Sequence, residues 1–126
     1  MAESPALRVV LAYQNAWTSR DFETAARYVA EDVVFDSPQR HLTTQTELLS
    51  MLTVFSERIA PRWEMIAATT AADNVLILYN LFTLNGVPAT CADYFVVEGD
   101  KIASETLVFD PQPFAAVAAQ QRQVGD

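Results

Sequence analysis

The chain has 126 residues, 51% of them hydrophobic, with 16 acidic against 8 basic residues and a formal net charge of −8. That length and apolar content suffice for one packed domain spanning 1–126. The charge excludes a nucleic-acid or anionic-membrane surface, because both need clustered cations and the only one between Trp63 and Gln121 is Lys101.

No apolar run approaches the roughly 18 residues of a membrane span, and Met1-Ala2-Glu3-Ser4-Pro5 lacks the basic start of a secretory leader. Cytoplasmic residence is the expectation. One cysteine, Cys91, and one histidine, His41, leave neither a disulfide nor a metal cluster, so no metal or cofactor is expected. No glycine-rich loop or arginine cluster is present to hold a nucleotide or coenzyme A. A neutral or apolar small molecule fits better as ligand.

In chain order, Ser4-Pro5 reads as an N-cap followed by proline at the first helical position. The helix it opens carries Leu7, Val10, Leu11, Gln14 and Trp17 on one face, with Tyr13 at its edge. A second helix starts at Asp21, buries Phe22, Ala25, Ala26 and Val29, and ends near Glu31. Val33-Val34-Phe35 predicts a short strand to about Ser37, closed by Pro38 and followed by a loop with Arg40 and His41. Thr44 with Glu47 makes a capping box for a third helix, whose apolar face is Leu48, Met51, Leu52, Phe55 and Ile59 and which Pro61 ends.

From Arg62 the pattern changes to long β-rich segments separated by Asp73-Asn74, Asn85-Gly86 and Glu98-Gly99-Asp100, which predicts a four-stranded antiparallel meander and an α+β fold. Asn85-Gly86 suits a two-residue type I′ turn. That register sets Asn80 opposite Cys91 and Leu78 opposite Asp93, placing Leu78, Asn80, Cys91, Asp93 and Phe95 on one face. Ile77, Tyr79, Leu81 and Tyr94 fall on the other. Both faces are largely apolar, which predicts helices on one and a second subunit on the other, hence a homodimer through the outer sheet face. A short Ala-rich turn of helix after Pro113 and a polar tail, Gln120 to Asp126, complete the chain.

Asp93 is the leading site candidate, because a carboxylate within Thr90-Cys91-Ala92-Asp93-Tyr94-Phe95-Val96-Val97 must be paired, protonated or facing a cavity. In an apolar pocket its pKa rises and it can act as a general base. Tyr13 can donate to a developing enolate oxygen, and Asn80 can orient a ligand carbonyl or Asp93 itself. Glu105 depends on the preceding turn. A two-residue Gly99-Asp100 turn puts Ser104 and Thr106 on the face of Asp93, whereas a three-residue turn puts Glu105 there, near enough to share a proton. His41 is either a base at the pocket mouth or a solvated loop residue. Trp17, Phe35, Phe55 and Phe95 are core residues that also shape a cavity. Cys91 reads as a small buried hydrophobe, and Asp110 before Pro111 as a cap on the last strand.

The succession of elements, with Tyr13-Gln-Asn-Ala-Trp17, Tyr28-Val-Ala-Glu-Asp32-Val-Val-Phe-Asp36-Ser-Pro38, Asp93-Tyr-Phe-Val-Val and Val108-Phe109-Asp110-Pro111, resembles the nuclear transport factor 2-like superfamily. Its SnoaL-like branch, with polyketide cyclases and ketosteroid isomerase relatives, is the most similar. The resemblance covers roughly Leu7 to Phe114 and implies a cone-shaped, curved, mostly antiparallel sheet with three helices across its concave face. Tyr13 and Asp93 match the tyrosine and protonated aspartic acid of ketosteroid isomerases, a pair that serves as a worked example of pKa tuning. The isomerase base falls on Ser37, with Asp36 beside it. Limonene epoxide hydrolases use an arginine between two aspartates; Cys91 and Leu107 take two of those places here and only Asp93 remains. Asp93 is also similar to the single acid-base aspartate of SnoaL cyclases, and relatives line their pockets from the positions of Glu105, Leu107 and Phe109. The resemblance thus implies a cofactor-independent isomerase, cyclase or lyase acting on a neutral carbonyl-bearing ring compound. The alternative is a non-catalytic ligand-binding or dimerisation module.

Overall fold

A computed structural model describes residues 4–125, with side chains through Arg122. Ser4 caps helix α1 (Pro5–Thr18), its Oγ accepting from the Leu7 amide at 3.0 Å. The buried face is rotated from the expected one. Tyr13 lies at its centre with Val9, Val10, Gln14 and Trp17, while Leu7 and Leu11 are only half-buried. Asp21 caps α2 (Phe22–Arg27) by accepting from the Thr24 amide. This helix is shorter than expected, and Val29, predicted on its face, opens strand β1 (Val29–Asp36) instead. Gln45 stabilises that exit by donating to the carbonyls of Ala26 and Val29.

The loop expected after Pro38 contains a two-residue strand, β2 (His41–Leu42), paired with the end of β1. Helix α3 (Gln45–Arg58) has the expected capping box. Thr44 Oγ1 accepts from the Glu47 amide, and the Glu47 carboxylate accepts from the Thr43 amide and the Thr44 hydroxyl. Strands β3 (Arg62–Ala71), β4 (Asn74–Phe82), β5 (Pro88–Glu98) and β6 (Lys101–Phe109) form the meander. The sheet order is β2-β1-β6-β5-β4-β3, antiparallel except where β1 runs parallel to β6. The fold is the expected α+β arrangement with a second addition besides β2. Helix α4 (Gln112–Gly125) continues through the segment read as a turn and a polar tail; Asp126 lies outside the described residues.

Two registers decide what faces the interior. Between β4 and β5 the turn is one residue longer than a type I′ hairpin: the Gly86 amide donates to Thr83 O, Gly86 takes φ +81°, and the Thr83 amide donates to Val87 O. These are the marks of a three-residue loop with glycine in the left-handed region. Ile77 therefore pairs with Asp93, Tyr79 with Cys91 and Asn80 with Thr90. A one-residue slip turns a whole strand over. The assignment of β4 is accordingly corrected: Ile77, Tyr79 and Leu81 point inward, and Leu78 and Asn80 outward, while Cys91, Asp93 and Phe95 keep their inward place.

Between β5 and β6 both readings of the turn hold in part. Glu98 pairs with Lys101 across a two-residue Gly99-Asp100 turn, and then a β-bulge leaves Ala103 unpaired, so that Val96 meets Ser104 and Phe95 meets Glu105. The short turn alone would send Glu105 outward. The bulge restores it to the face of Asp93.

The core lies between this inner face and the helices, around Val10, Tyr13, Leu48, Ile77, Phe95 and Ile102. The outer face leaves Leu76, Leu78, Tyr94 and Val108 exposed. Among the described residues, no helix is long and apolar enough to cross a membrane.

Candidate active site

Four polar side chains meet beneath the helices. Asp93 is fully buried and Glu105 and Tyr13 nearly so, and Tyr79 completes the group from β4. The Tyr79 hydroxyl donates to Asp93 Oδ2 at 2.8 Å, and the Tyr13 hydroxyl donates to Glu105 Oε1 over a longer 3.4 Å. The two carboxyl groups lie within hydrogen-bonding reach of each other. Strand geometry explains the meeting: Tyr79 and Glu105 each occupy a position diagonal to Asp93 on the inner face, where long side chains touch.

Burial dominates the electrostatics. Desolvation raises the Asp93 carboxyl well above its ordinary range, and the nearby Glu105 charge raises it further; the Tyr79 bond acts the other way. Glu105 is raised to about 7 by burial, against bonds from Asp93 and Tyr13 that favour its ionised form. Like charges this close do not both ionise readily, so the pair keeps at least one proton through neutral pH. Asp93 is its natural seat, since Glu105 carries the hydrogen bonds that support an anion. Asp93 Oδ1 is buried with no donor of its own. Both phenols are raised well above their usual range by burial and by these carboxyls, and Cys91 is raised to about 12, which keeps its thiol inert.

A cavity of about 780 Å³ opens over this group, between the sheet, α3 and α4. Trp17, Phe35, Phe55, Leu107 and Phe109 line it, and Glu105 and Tyr79 form its polar wall. Asp93 and Tyr13 stand behind that wall, outside the lining, as does Phe95, whose ring meets Tyr13 edge-on at 6.3 Å. Asn80 is corrected: it lies on the outer face, accepting from the Thr90 hydroxyl at 2.8 Å. Asp36 and His41 are also corrected. They pair with each other outside the cavity, because β2 carries His41 back against the end of β1. Sequence reasoning missed Tyr79, which the expected turn sent outward, and Phe114, whose ring packs on Phe55 and Phe109 at the cavity wall. The signal for Tyr79 was alternation with Ile77 and Leu81, had Gly86 been read as the third turn residue. Among the described residues, no three His, Cys, Asp or Glu side chains converge as metal ligands.

A family profile for the SnoaL-like domain matches residues 10–105. The chain belongs to the SnoaL-like family. Solved structures share the fold. A protein from Kribbella flavida DSM 17836, described only as of known function, is similar over 96% of this chain and 99% of its own, at 27% identity and TM-score 0.85. A candidate SnoaL-like polyketide cyclase from Shewanella putrefaciens CN-32 superposes over 94% of this chain and 88% of its own, at 13% identity and TM-score 0.78. An LEH-like epoxide hydrolase from M. tuberculosis does so over 97% of both chains, at 18% identity and TM-score 0.77. The last two share the fold with this SnoaL-like domain. No protein of curated function matches its sequence. In this SnoaL-like domain Leu107 lies directly opposite Asp93, and Cys91 precedes Asp93 by two on the same face, so these two neighbours of Asp93 carry no charge. Ser37 lines the cavity, and Glu105 brings a carboxyl to it from β6.

Proposed function

We propose that this SnoaL-like domain is a cofactor-independent acid-base enzyme of isomerase, cyclase or lyase type, acting on a carbonyl-bearing cyclic small molecule whose reacting ring is neutral. The observation that carries the reading is the buried acid pair Asp93–Glu105, whose Glu105 member lines the cavity and is raised to about 7 by burial. Glu105 is the member that touches ligand. Its bond from Tyr13 is long and readily exchanged for one to a bound molecule, so its carboxylate is the base that takes a proton from the carbon beside a carbonyl. The Tyr79 hydroxyl, which donates to Asp93 and stands on the cavity wall, can turn its hydrogen to the enolate oxygen as charge develops, while the Asp93 proton stays within the acid pair. The proton held by Glu105 then returns to another carbon in an isomerisation, or to the alkoxide formed when the enolate attacks a second carbonyl in a ring closure.

A second reading, an apolar-ligand carrier, has one observation in its favour: the two phenols and two acids already bond to one another. A thermal-shift screen of polycyclic ketones, with turnover assays on each hit, separates the two. Conversion by wild type and unreacted binding by Glu105→Gln supports the enzyme; binding without conversion by both supports the carrier.

The exposed Leu76, Leu78, Tyr94 and Val108 favour a homodimer through the outer sheet face, since a row of apolar side chains of this kind on a twisted sheet suits a second sheet.

A further inference from the structure

The chain has few cations, yet two of its eight basic residues line the cavity: Arg40 from the turn between β1 and β2, and Arg122 from the end of α4. Both are exposed, so they mark the rim rather than the floor. Neither belongs to an ion pair with any described residue; those pairs are Arg20–Glu57, Arg27–Glu23 and His41–Asp36. Two carboxylates of this region have partners of their own. Asp36 is taken up by His41, and Glu47, which also lines the cavity, accepts from the Thr43 amide and the Thr44 hydroxyl at the start of α3. Ser37, Gln39 and Ser50 add neutral hydrogen-bonding groups to the same rim. The cavity thus has two chemically different ends, an apolar interior backed by a buried acid pair and a mouth with two cations.

We propose that the ligand is amphipathic: an apolar, carbonyl-bearing body inside and a carboxylate or comparable monoanion held at the mouth by Arg40 and Arg122. This rests on the proposed use of the cavity and narrows its ligand class. A guanidinium suits a carboxylate because its planar donors match the two oxygens. With −8 on the whole chain, long-range attraction does not bring an anion here, so selectivity for one must come from the rim itself.

The test uses the full chain and dehydrocholic acid, a steroid with three ring ketones and a carboxylate tail, against its methyl ester, followed by quenching of tryptophan fluorescence, since Trp17 lines the cavity. Naphthylacetic acid and its methyl ester form a second, smaller pair. The acid is expected to bind about tenfold tighter than its ester, the gap narrowing as salt rises. Arg40→Gln and Arg122→Gln are each expected to weaken the acid by about threefold to fivefold and leave the ester unchanged, whereas Arg8→Gln, a matched charge change on α1, moves neither. Esters binding as tightly as their acids, or both rim variants binding the acid normally, would overturn the anionic mouth. Conversion of an ester by wild type but not by Glu105→Gln would leave the acid-base reading standing in that event. Failure of both acids and both esters to bind would remove the anionic mouth together with the ligand reading.

Discussion

Glu105 stands diagonally across from Asp93, because β5 and β6 pair Phe95 with Glu105 and Asp93 with Leu107 on the same inner face. The two acids are thereby stacked along the sheet without being forced into direct opposition.

The first prediction concerns stability against pH. Both carboxyls have folded pKa values raised above their unfolded ones, so the folded state holds protons that the unfolded state has lost. Their contribution is fully present below the unfolded value of about 4 and is lost as pH rises through the folded value, about 7 for Glu105. Stability therefore falls with rising pH across that window, by about 1.4 kcal/mol per unit for each retained proton. Asp21 and Glu47, whose pKa values are lowered by capping bonds, act in the opposite sense at lower pH. Urea unfolding at pH 5 and pH 8 checks this; greater stability at pH 8 would refute it.

Glu105→Gln removes a charge that is costly to bury while leaving an oxygen for Tyr13. The variant is expected to be less sensitive to pH between 5 and 8 than wild type. If the domain is an enzyme, the same change lowers kcat by about a hundredfold or more, a typical loss for a general base.

Tyr13→Phe deletes a bond that favours ionised Glu105, so the Glu105 pKa moves further up. The ascending limb of the rate profile should shift to higher pH, and Tyr79→Phe should lower kcat with a smaller shift of that limb. NMR titration of carboxyl-labelled glutamate reads the first effect without any substrate.

Ala72 sits in the β3–β4 turn at φ +55°, a left-handed conformation in which a Cβ is strained. Ala72→Gly is expected to raise stability by about 0.5–1 kcal/mol, the relief of that strain outweighing the added freedom of the unfolded chain. Thermal unfolding at constant pH measures it.

The dimer is tested by charge. Leu78→Glu and Val108→Glu place carboxylates on the exposed outer face, where a monomer tolerates them. Light scattering should find wild type as a dimer and the double variant as a monomer with its thermal midpoint measured below that of wild type. A monomeric wild type would dismiss the interface.

The order of helices and strands was legible because caps and periodicity are local: Ser4-Pro5 and Thr44 with Glu47 announce helix starts within four residues. Asp93 was legible because a carboxylate in an apolar strand is costly wherever the strand faces. Tyr79 and Asn80 were not. Their facing hangs on whether the β4–β5 loop has two residues or three, and Asn-Gly is compatible with both, as φ +81° at Gly86 in a longer loop shows. The Asp36–His41 pairing escaped notice because a two-residue strand carries no periodicity.

Ala103 gives the site an evolutionary tolerance. It is the one residue of β6 set aside between Ile102 and Ser104, so loss of its codon would close the bulge and still leave Val96 against Ser104 and Phe95 against Glu105. The same letters paired without a bulge would instead set Thr106 opposite Asp93 and house a lone aspartic acid. Where a strand stores its spare residue, as much as which residues it has, is then a heritable determinant of what such a domain can do.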